Sequence, residues 1–230
     1  NSGANNTVVG FQAGQNLIMG SKNTYLGYNC ARFSTNGDQN TYIGGNISSS
    51  APSGGAFDEV VLGYSAYGEG STSVRIGNTS ISSAHVQVDW TITSDERVKK
   101  NIQSGSLGLN FINKLNPVYF QKINPSEYPP ELLENRFSEQ QEWNPETSSS
   151  ITIAPDLPPP SDNKFYEGLI AQEVSSSLSE VGVTSDIWYE SPINGKQGIK
   201  YSALTIPLIK AVQELSAKVD ALQLQISGSV

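Results

Sequence analysis

The hydrophobic positions of this chain follow one pattern in its first part and another after it. In the first part, short runs of β-branched and aromatic residues end in glycine and recur along the chain. The three clearest copies are residues 6–10, 23–27 and 40–44, whose glycines lie 17 residues apart, and degenerate copies follow at 60–63 and 73–77. Because one copy cannot bury its apolar face, the pattern predicts a strand and a tight turn per copy, stacked along an axis.

The later part of the chain carries helical and strand patterns instead. Leu107, Phe111 and Leu115 share one helical face, and Pro117 ends that helix. The Asn194-Gly195 pair indicates a hairpin turn. Further short elements are predicted as helices at 95–103 and 171–178 and as strands at 118–123, 166–170, 187–189 and 198–201.

The last helix, predicted over 202–227, has apolar residues at alternating steps of four and three, which is the coiled-coil repeat. Glu214 and Lys218 add a predicted i,i+4 ion pair on its flank. A face of this kind needs a partner. The apolar positions, which we call the seam, are Leu208, Val212, Leu215, Val219, Leu222 and Ile226.

Composition narrows the classes of function. The formal charge of -8 argues against a nucleic-acid partner, and no apolar run approaches the length of a membrane span. One Cys and one His exclude a disulfide framework or a Cys/His zinc site within one chain, so we expect no metal and no cofactor. Cys30 is expected to be half-buried in the repeat, and His85 to be a packing or surface residue. Since the chain starts at Asn1 without an initiator methionine, we expect a fragment of a longer protein.

Residues 124–163 differ from the sequence on either side. They hold eight acidic residues, one basic residue (Arg136) and eight prolines. This composition predicts a loop excursion with a short helix near 130–141. A solvated acidic insert and a partner-binding arm both fit it.

A candidate for chemistry lies where the two patterns meet. The hydroxyl of Ser94 is followed five residues later by the amine of Lys99. Such a pair can perform acyl transfer if the amine is neutral, since it then takes the serine proton, and burial is what lowers a lysine pKa enough for that role. The same residues also fit a helix start, with Ser94 as the cap and Asp95 and Glu96 in the first turn.

The stretch Ser-Asp-Glu-Arg-Val-Lys-Lys-Asn-Ile, residues 94–102, resembles the opening motif of the endosialidase-type intramolecular chaperones. These are the self-cleaving C-terminal domains of phage tail fibres and spikes, and the module also occurs in the myelin regulatory factor. Three further blocks follow in family order, at 108–118, 168–174 and 201–215. The chain departs from the family mainly in the insert between the second and third blocks.

The resemblance implies serine autoproteolysis in which Ser94 is the nucleophile and Lys99 the base. It places the cut between Thr93 and Ser94, and it includes Asp95 in the motif, either to orient Lys99 or to cap the helix. It also implies a homotrimer, which we expect although Val or Ile alternating with Leu at a seam favours two strands. The implied location is a virion tail fibre or spike assembled in the host cytoplasm.

The expected fold class is α+β. A Gly-rich β-repeat, roll-like or prism-like and trimeric, is predicted over 1–93, and a mixed α/β chaperone domain ending in a long coiled-coil helix over 94–230. The repeat resembles the heads and shafts of trimeric fibres and adhesins, so a host-surface glycan is a candidate partner. Five tyrosines can stack on sugars or pack in the core or between chains: Tyr25, Tyr28, Tyr42, Tyr64 and Tyr67.

Two other functions remain open at this point. The first is a structural trimeric fibre tip that is never cut, in which Ser94 is only a helix cap. The second is a carbohydrate-binding adhesin head formed by the repeats.

Overall fold

The computed structural model describes residues 3–51, 55–144, 149–161 and 163–228. The chain is α+β and divides into two compact units. One unit comprises residues 1–85, 123–162 and 191–195, and the other comprises 86–122, 163–190 and 196–230.

The regular elements are short, apart from the last helix. The strands are β1 (Thr7–Val9), β2 (Thr24–Leu26), β3 (Thr41–Ile43), β4 (Val60–Leu62), β5 (Val74–Ile76), β6 (Val118–Gln121), β7 (Gln140–Asn144), β8 (Ser149–Ile153), β9 (Phe165–Gly168), β10 (Trp188–Glu190) and β11 (Gln197–Ile199). The α-helices are α1 (Leu109–Ile112), α2 (Ala171–Glu180) and α3 (Thr205–Ser227).

The first five strands form a parallel, solenoid-like stack in the order β1-β2-β3-β4-β5. The predicted strand in each repeat copy is confirmed, including the two degenerate copies. Register is strict, so that Tyr25 lies opposite Tyr42 and Tyr42 opposite Val61. All three side chains are buried, and the two tyrosine rings stack with centroids 5.2 Å apart. The middle residue of each of these strands therefore builds the core of the solenoid.

A ladder of asparagines fixes this register from coil to coil. The Oδ1 of Asn6 accepts from the backbone N–H of Asn23, and the Oδ1 of Asn23 accepts from that of Asn40. The Nδ2 of Asn40 donates to the carbonyl of Ala56, and its Oδ1 accepts from the backbone N–H of Glu59. Each rung thus satisfies buried backbone groups of the next coil, which would otherwise carry a desolvation penalty.

The fourth rung replaces asparagine with Glu59, which is fully buried. Its carboxylate accepts from the Tyr42 hydroxyl at 2.6 Å and from the backbone N–H of Gly70 at 3.0 Å. The longer side chain therefore links one coil to a loop beyond the next strand, where an asparagine ends too early to reach.

The repeat glycines are required by close contact between coils. Gly27 has φ +136, and a Cβ there would lie 2.3 Å from the carbonyl oxygen of Gly44. Any side chain at this position is excluded by both backbone conformation and space. The regular glycine spacing in the sequence thus records the coil-to-coil contact.

The acidic insert belongs to the same unit as the solenoid, whereas the predicted division at residue 93 groups it with the later part of the chain. The predicted helix near 130–141 is wrong: strands β7 and β8 pair antiparallel, preceded by single 3-10 turns. Arg136, the only basic residue of the insert, pairs with Glu134 and Asp156 and donates to Ser80 at 2.8 Å. Charge compensation around this one cation explains why the insert packs on the end of the repeat region.

The second unit is built from the later blocks of the motif. Its core contains Phe111, Val174, Leu178, Ile187 and Leu204, and the predicted face of Leu107 and Leu115 packs against it. Strand β6 pairs antiparallel with β9, and β10 pairs antiparallel with β11, as the hairpin signal predicts.

Helix α3 confirms the predicted C-terminal helix, with a 3-10 turn at Tyr201–Leu204 in front of it. The predicted pair between Glu214 and Lys218 is replaced by other contacts of Glu214. Its carboxylate accepts from the backbone N–H of Leu109 at 2.8 Å and lies 3.9 Å from Lys210 Nζ. The beginning of α3 is thereby fastened to the start of α1.

Two single-residue expectations have outcomes in the structure. Cys30 is fully buried rather than half-buried, because it lies inside the coil against the carbonyl of Tyr42 at 3.2 Å. Burial raises the pKa of its thiol to about 11, which keeps it protonated and unreactive at neutral pH. His85 is an exposed surface residue.

Candidate functional site

Ser94 and Lys99 lie in direct contact. The Nζ of Lys99 donates a hydrogen bond to the Oγ of Ser94 at 2.7 Å. This is within the distance that proton transfer between a nucleophile and its base requires. Two side chains that the sequence singled out by residue type are therefore brought together by the fold.

A short 3-10 turn makes this contact geometrically feasible. The predicted helix over 95–103 is wrong in length, since only Glu96–Val98 are helical. Lys99 ends the turn with an extended backbone, φ -114 and ψ 150. On a continuous α-helix, residues five apart do not face each other, because only i,i+3 and i,i+4 positions are neighbours. Ending the turn at Lys99 lets its side chain return to Ser94.

Asp95 is the helix cap, the role that the alternative interpretation gave to Ser94. The Asp95 side chain accepts from the backbone N–H of Arg97 at 2.8 Å, and its carboxylate pairs with the Arg97 guanidinium at 2.7 Å. These contacts with Arg97 hold the pKa of Asp95 below its ordinary value. Asp95 therefore braces the turn between Ser94 and Lys99, and of its two proposed roles the structure gives it capping.

The pair stands in the open within the single chain. All residues from 81 to 106 are exposed, including Thr93, Ser94 and Lys99. The last three motif blocks pack together in the core of the second unit, whereas the first block, which holds the pair, does not join them. An exposed pair has its nucleophile and base aligned but not shielded from water.

The seam of α3 is also open in the single chain. Every one of its six residues is exposed, while Pro207 and Ala211 are the buried residues of this helix within the described chain. The helix thus uses one face to join its own unit and leaves the coiled-coil face unpartnered. A second open face runs up the solenoid, where Val9, Leu26 and Ile43 face one another in register and are exposed.

The five candidate tyrosines divide into two classes. Tyr25 and Tyr42 are buried in the solenoid core and unavailable to a ligand. Tyr28, Tyr64 and Tyr67 are exposed, and Tyr28 stacks on Phe11 with ring centroids 5.7 Å apart.

Sequence reasoning missed a feature immediately before the pair. Val86, Val88, Trp90 and Ile92 alternate with polar residues and are all exposed. The signal was available in the sequence as a period of two, which is typical of a strand. It carries the further inference below.

Among the described residues, no helix combines the length and apolar character needed to cross a bilayer. Nor does that part of the chain hold a group of three His, Cys, Asp or Glu side chains placed to share a metal ion. Comparison of the chain with protein-family models and with curated proteins found no match, so the function must be argued from the residues themselves.

Proposed function

We propose that this chain is the C-terminal part of a viral tail fibre or spike, in which residues 94–230 act as an intramolecular trimerisation chaperone. The chaperone assembles the upstream solenoid and then separates from it by cutting the chain between Thr93 and Ser94. The observation that carries the proposal is the 2.7 Å contact between Lys99 Nζ and Ser94 Oγ, inside the motif that resembles the self-cleaving family.

The chemistry needs no group from outside the chain except water. Neutral Lys99 accepts the proton of the Ser94 hydroxyl as Oγ attacks the carbonyl carbon of Thr93. The new C–O bond forms, the C–N bond to Ser94 breaks, and Lys99 passes the proton to the leaving α-amine of Ser94. Water then hydrolyses the ester on Oγ, leaving a carboxylate on Thr93 and a free amine on Ser94.

Assembly supplies what the open pair lacks. A base must be neutral to accept a proton, and a charged amine in water is strongly solvated. Packing of neighbouring copies around the pair would exclude that water. Cleavage would then follow trimerisation, as a step that reports assembly.

The open apolar faces support the chaperone role. The seam gives three copies a local, helical means of association, whereas a β-solenoid assembled from separate chains depends on slow, non-local pairing. Joining the chains first raises the effective concentration of the repeat segments for one another. Cutting afterwards makes the assembly irreversible, because the released fibre no longer carries the helices that would reverse it.

The test is the intact mass of freshly expressed protein. We expect fragments corresponding to 1–93 and 94–230 from the parent chain. Ser94→Ala should give one uncut chain that is still trimeric, since the nucleophile is lost while Asp95, which caps the turn, is kept. Ser104→Ala, an exposed serine in the same segment, is the control and should cut normally. Efficient cutting of the Ser94→Ala chain would remove the nucleophile assignment.

A carbohydrate-binding head is the second candidate function, and one observation favours it. The exposed stacked rings of Phe11 and Tyr28 form a flat apolar surface of the kind on which sugar rings stack. A glycan array with the purified 1–93 trimer tests it, and Tyr28→Ala is the matched variant. Under the third reading, a structural fibre tip, the parent chain stays uncut and no glycan binds.

A further inference from the structure

The segment directly before the Ser94–Lys99 pair has the side-chain pattern of a β-strand but no partner strand. Val86, Val88, Trp90 and Ile92 occupy alternate positions, which on an extended chain point to one side. They are 61%, 76%, 74% and 78% exposed, respectively. Four large apolar side chains in a row are thus left in water.

The backbone of this segment is unpaired as well. Within the described part of the chain, no backbone hydrogen bond joins residues 82–93 to another segment, and the N–H of Trp90 bonds only to the side chain of Asp89. The segment contains no proline, so every residue can donate to a ladder. A strand with free edges and one apolar side is a template for pairing with another strand.

We propose that residues 86–93 become a β-strand by associating with the same segment of two further copies of this chain, and that this association completes the cleavage site. The inference rests on the proposed function, because it names the partner that encloses the same Ser94–Lys99 pair. The occupant is a second copy rather than an unrelated protein, for two reasons given by the chain itself.

The first reason is charge. Residues 84–93 contain a single charged side chain, Asp89, which alternates away from the apolar side. Identical copies can therefore bring their apolar sides together without like-charge repulsion, which penalises self-association of most exposed strands.

The second reason is the series of open faces along the chain. An apolar ladder in the solenoid precedes the segment, and the seam of α3 follows it. Copies of the same chain carry all three faces in the same order and cover all three at once. An unrelated partner would need three separate matching surfaces.

The consequence for the site follows from position. The strand ends at Thr93, whose carbonyl carbon is the proposed point of attack, and Ser94 is the next residue. Pairing would fix the backbone on the acyl side of the bond and shield the Ser94–Lys99 contact from water. The single chain holds the nucleophile and base but leaves the acyl side free to move, so the site is incomplete without the partner copies.

Hydrogen exchange of the full-length Ser94→Ala chain tests the pairing, since this variant is not consumed by cutting. Peptides covering 86–93 should be protected in its trimer. They should exchange at unprotected rates when Leu215→Asp and Leu222→Asp are added to prevent assembly. Unprotected exchange within a trimer would overturn the inference, and so would a Ser94→Ala chain that remains monomeric, because no partner copy would then exist.

A matched pair of lysine substitutions tests the link to cleavage. Val88→Lys places a charge on the apolar side, and Gln87→Lys places the same charge on the polar side of the neighbouring position. We expect Val88→Lys to slow cutting at least about tenfold and Gln87→Lys to cut at the parental rate. Equal rates for both variants would remove the strand from the mechanism.

The outcomes separate this inference from the proposed function. If Ser94→Ala abolishes cutting while Val88→Lys cuts like the parent, autoproteolysis stands and the strand inference fails. If the Ser94→Ala chain is still cut, the proposed function fails, whatever the exchange data show. If Val88→Lys blocks assembly itself, the exchange experiment on the otherwise unaltered segment decides.

Discussion

At the scale of single residues, function depends on which groups the turn at 95–99 places together. Asp95 holds Arg97, the helical turn stops at Lys99, and the amine returns to the serine hydroxyl. The neighbouring Lys100 has the same charge and exposure but makes no such contact among the described residues. Position after the turn, rather than residue type, therefore distinguishes the two lysines.

This difference predicts opposite results for two conservative changes. Lys99→Arg should block cutting, because arginine keeps its proton at any working pH and cannot act as a base. Lys100→Arg should leave cutting unchanged. The fraction of cut chain over time on a denaturing gel measures both. Identical behaviour of the two variants would show that the wrong lysine, or no lysine, has been assigned.

At the scale of elements, the solenoid is held by side chains that bond to backbone across coils. The asparagine ladder is the main example, and Asn40 alone serves both the carbonyl of Ala56 and the N–H of Glu59. These bonds are buried, so that water cannot replace them when the side chain is removed. The stacked tyrosines beside the ladder fill the space that the glycine-lined turns leave inside each coil.

Asn40→Ala should therefore destabilise the repeat strongly. It leaves two buried backbone groups without partners, at a cost of roughly 1–3 kcal/mol each. Asn16→Ala, at an exposed position, is the control. Urea unfolding of both variants at one protein concentration measures the difference. Equal midpoints for the two would mean that the ladder contributes no net stability.

The buried tyrosines predict a loss of stability at high pH. Burial raises the pKa of Tyr25 from 10.0 to about 12, so the folded chain keeps a proton that the unfolded chain releases. This contribution is complete below pH 10 and is lost as the pH rises from 10 towards 12. The urea midpoint should fall between pH 9 and pH 11, and Tyr25→Phe should reduce that fall. A fall of the same size in Tyr25→Phe would assign it to other groups.

At the scale of the whole molecule, the chain presents apolar surface that it does not itself cover. The solenoid ladder, the segment 86–93 and the seam follow one another along the sequence, and each needs a partner. The buried face of α3 is already used within its own unit, so its seam is available for other copies. Trimerisation is the proposal that covers these surfaces together.

Placing charge in the seam should therefore stop both assembly and cutting. Leu215→Asp with Leu222→Asp puts unpaired carboxylates where three helices would meet, and an uncompensated buried charge costs about 3–5 kcal/mol. Gln213→Asp with Leu224→Asp adds the same charge outside the seam and should behave like the parent. Light scattering gives the oligomeric mass, and a gel time course gives the cut fraction. A monomer that cuts at the parental rate would show that the pair works without assembly.

The sequence by itself determined the features that repeat or follow a short period. The glycine spacing placed the five parallel strands, because each coil must bring its glycine against the next at a distance that excludes a side chain. The four-three steps placed the long helix and its seam for a similar reason, since helix geometry fixes which residues share a face. The paired residue types of Ser94 and Lys99 marked the candidate site.

Only the tertiary structure decided which equivalent-looking residues do different work. Tyr25 is buried and Tyr28 exposed although both belong to one coil, because the direction of each side chain depends on where the turn bends. Arg136 holds the insert through Ser80, 56 residues away, a choice of partner that local pattern cannot specify. The Ser94–Lys99 contact likewise depends on a turn ending at Lys99, which backbone angles decide and residue spacing does not.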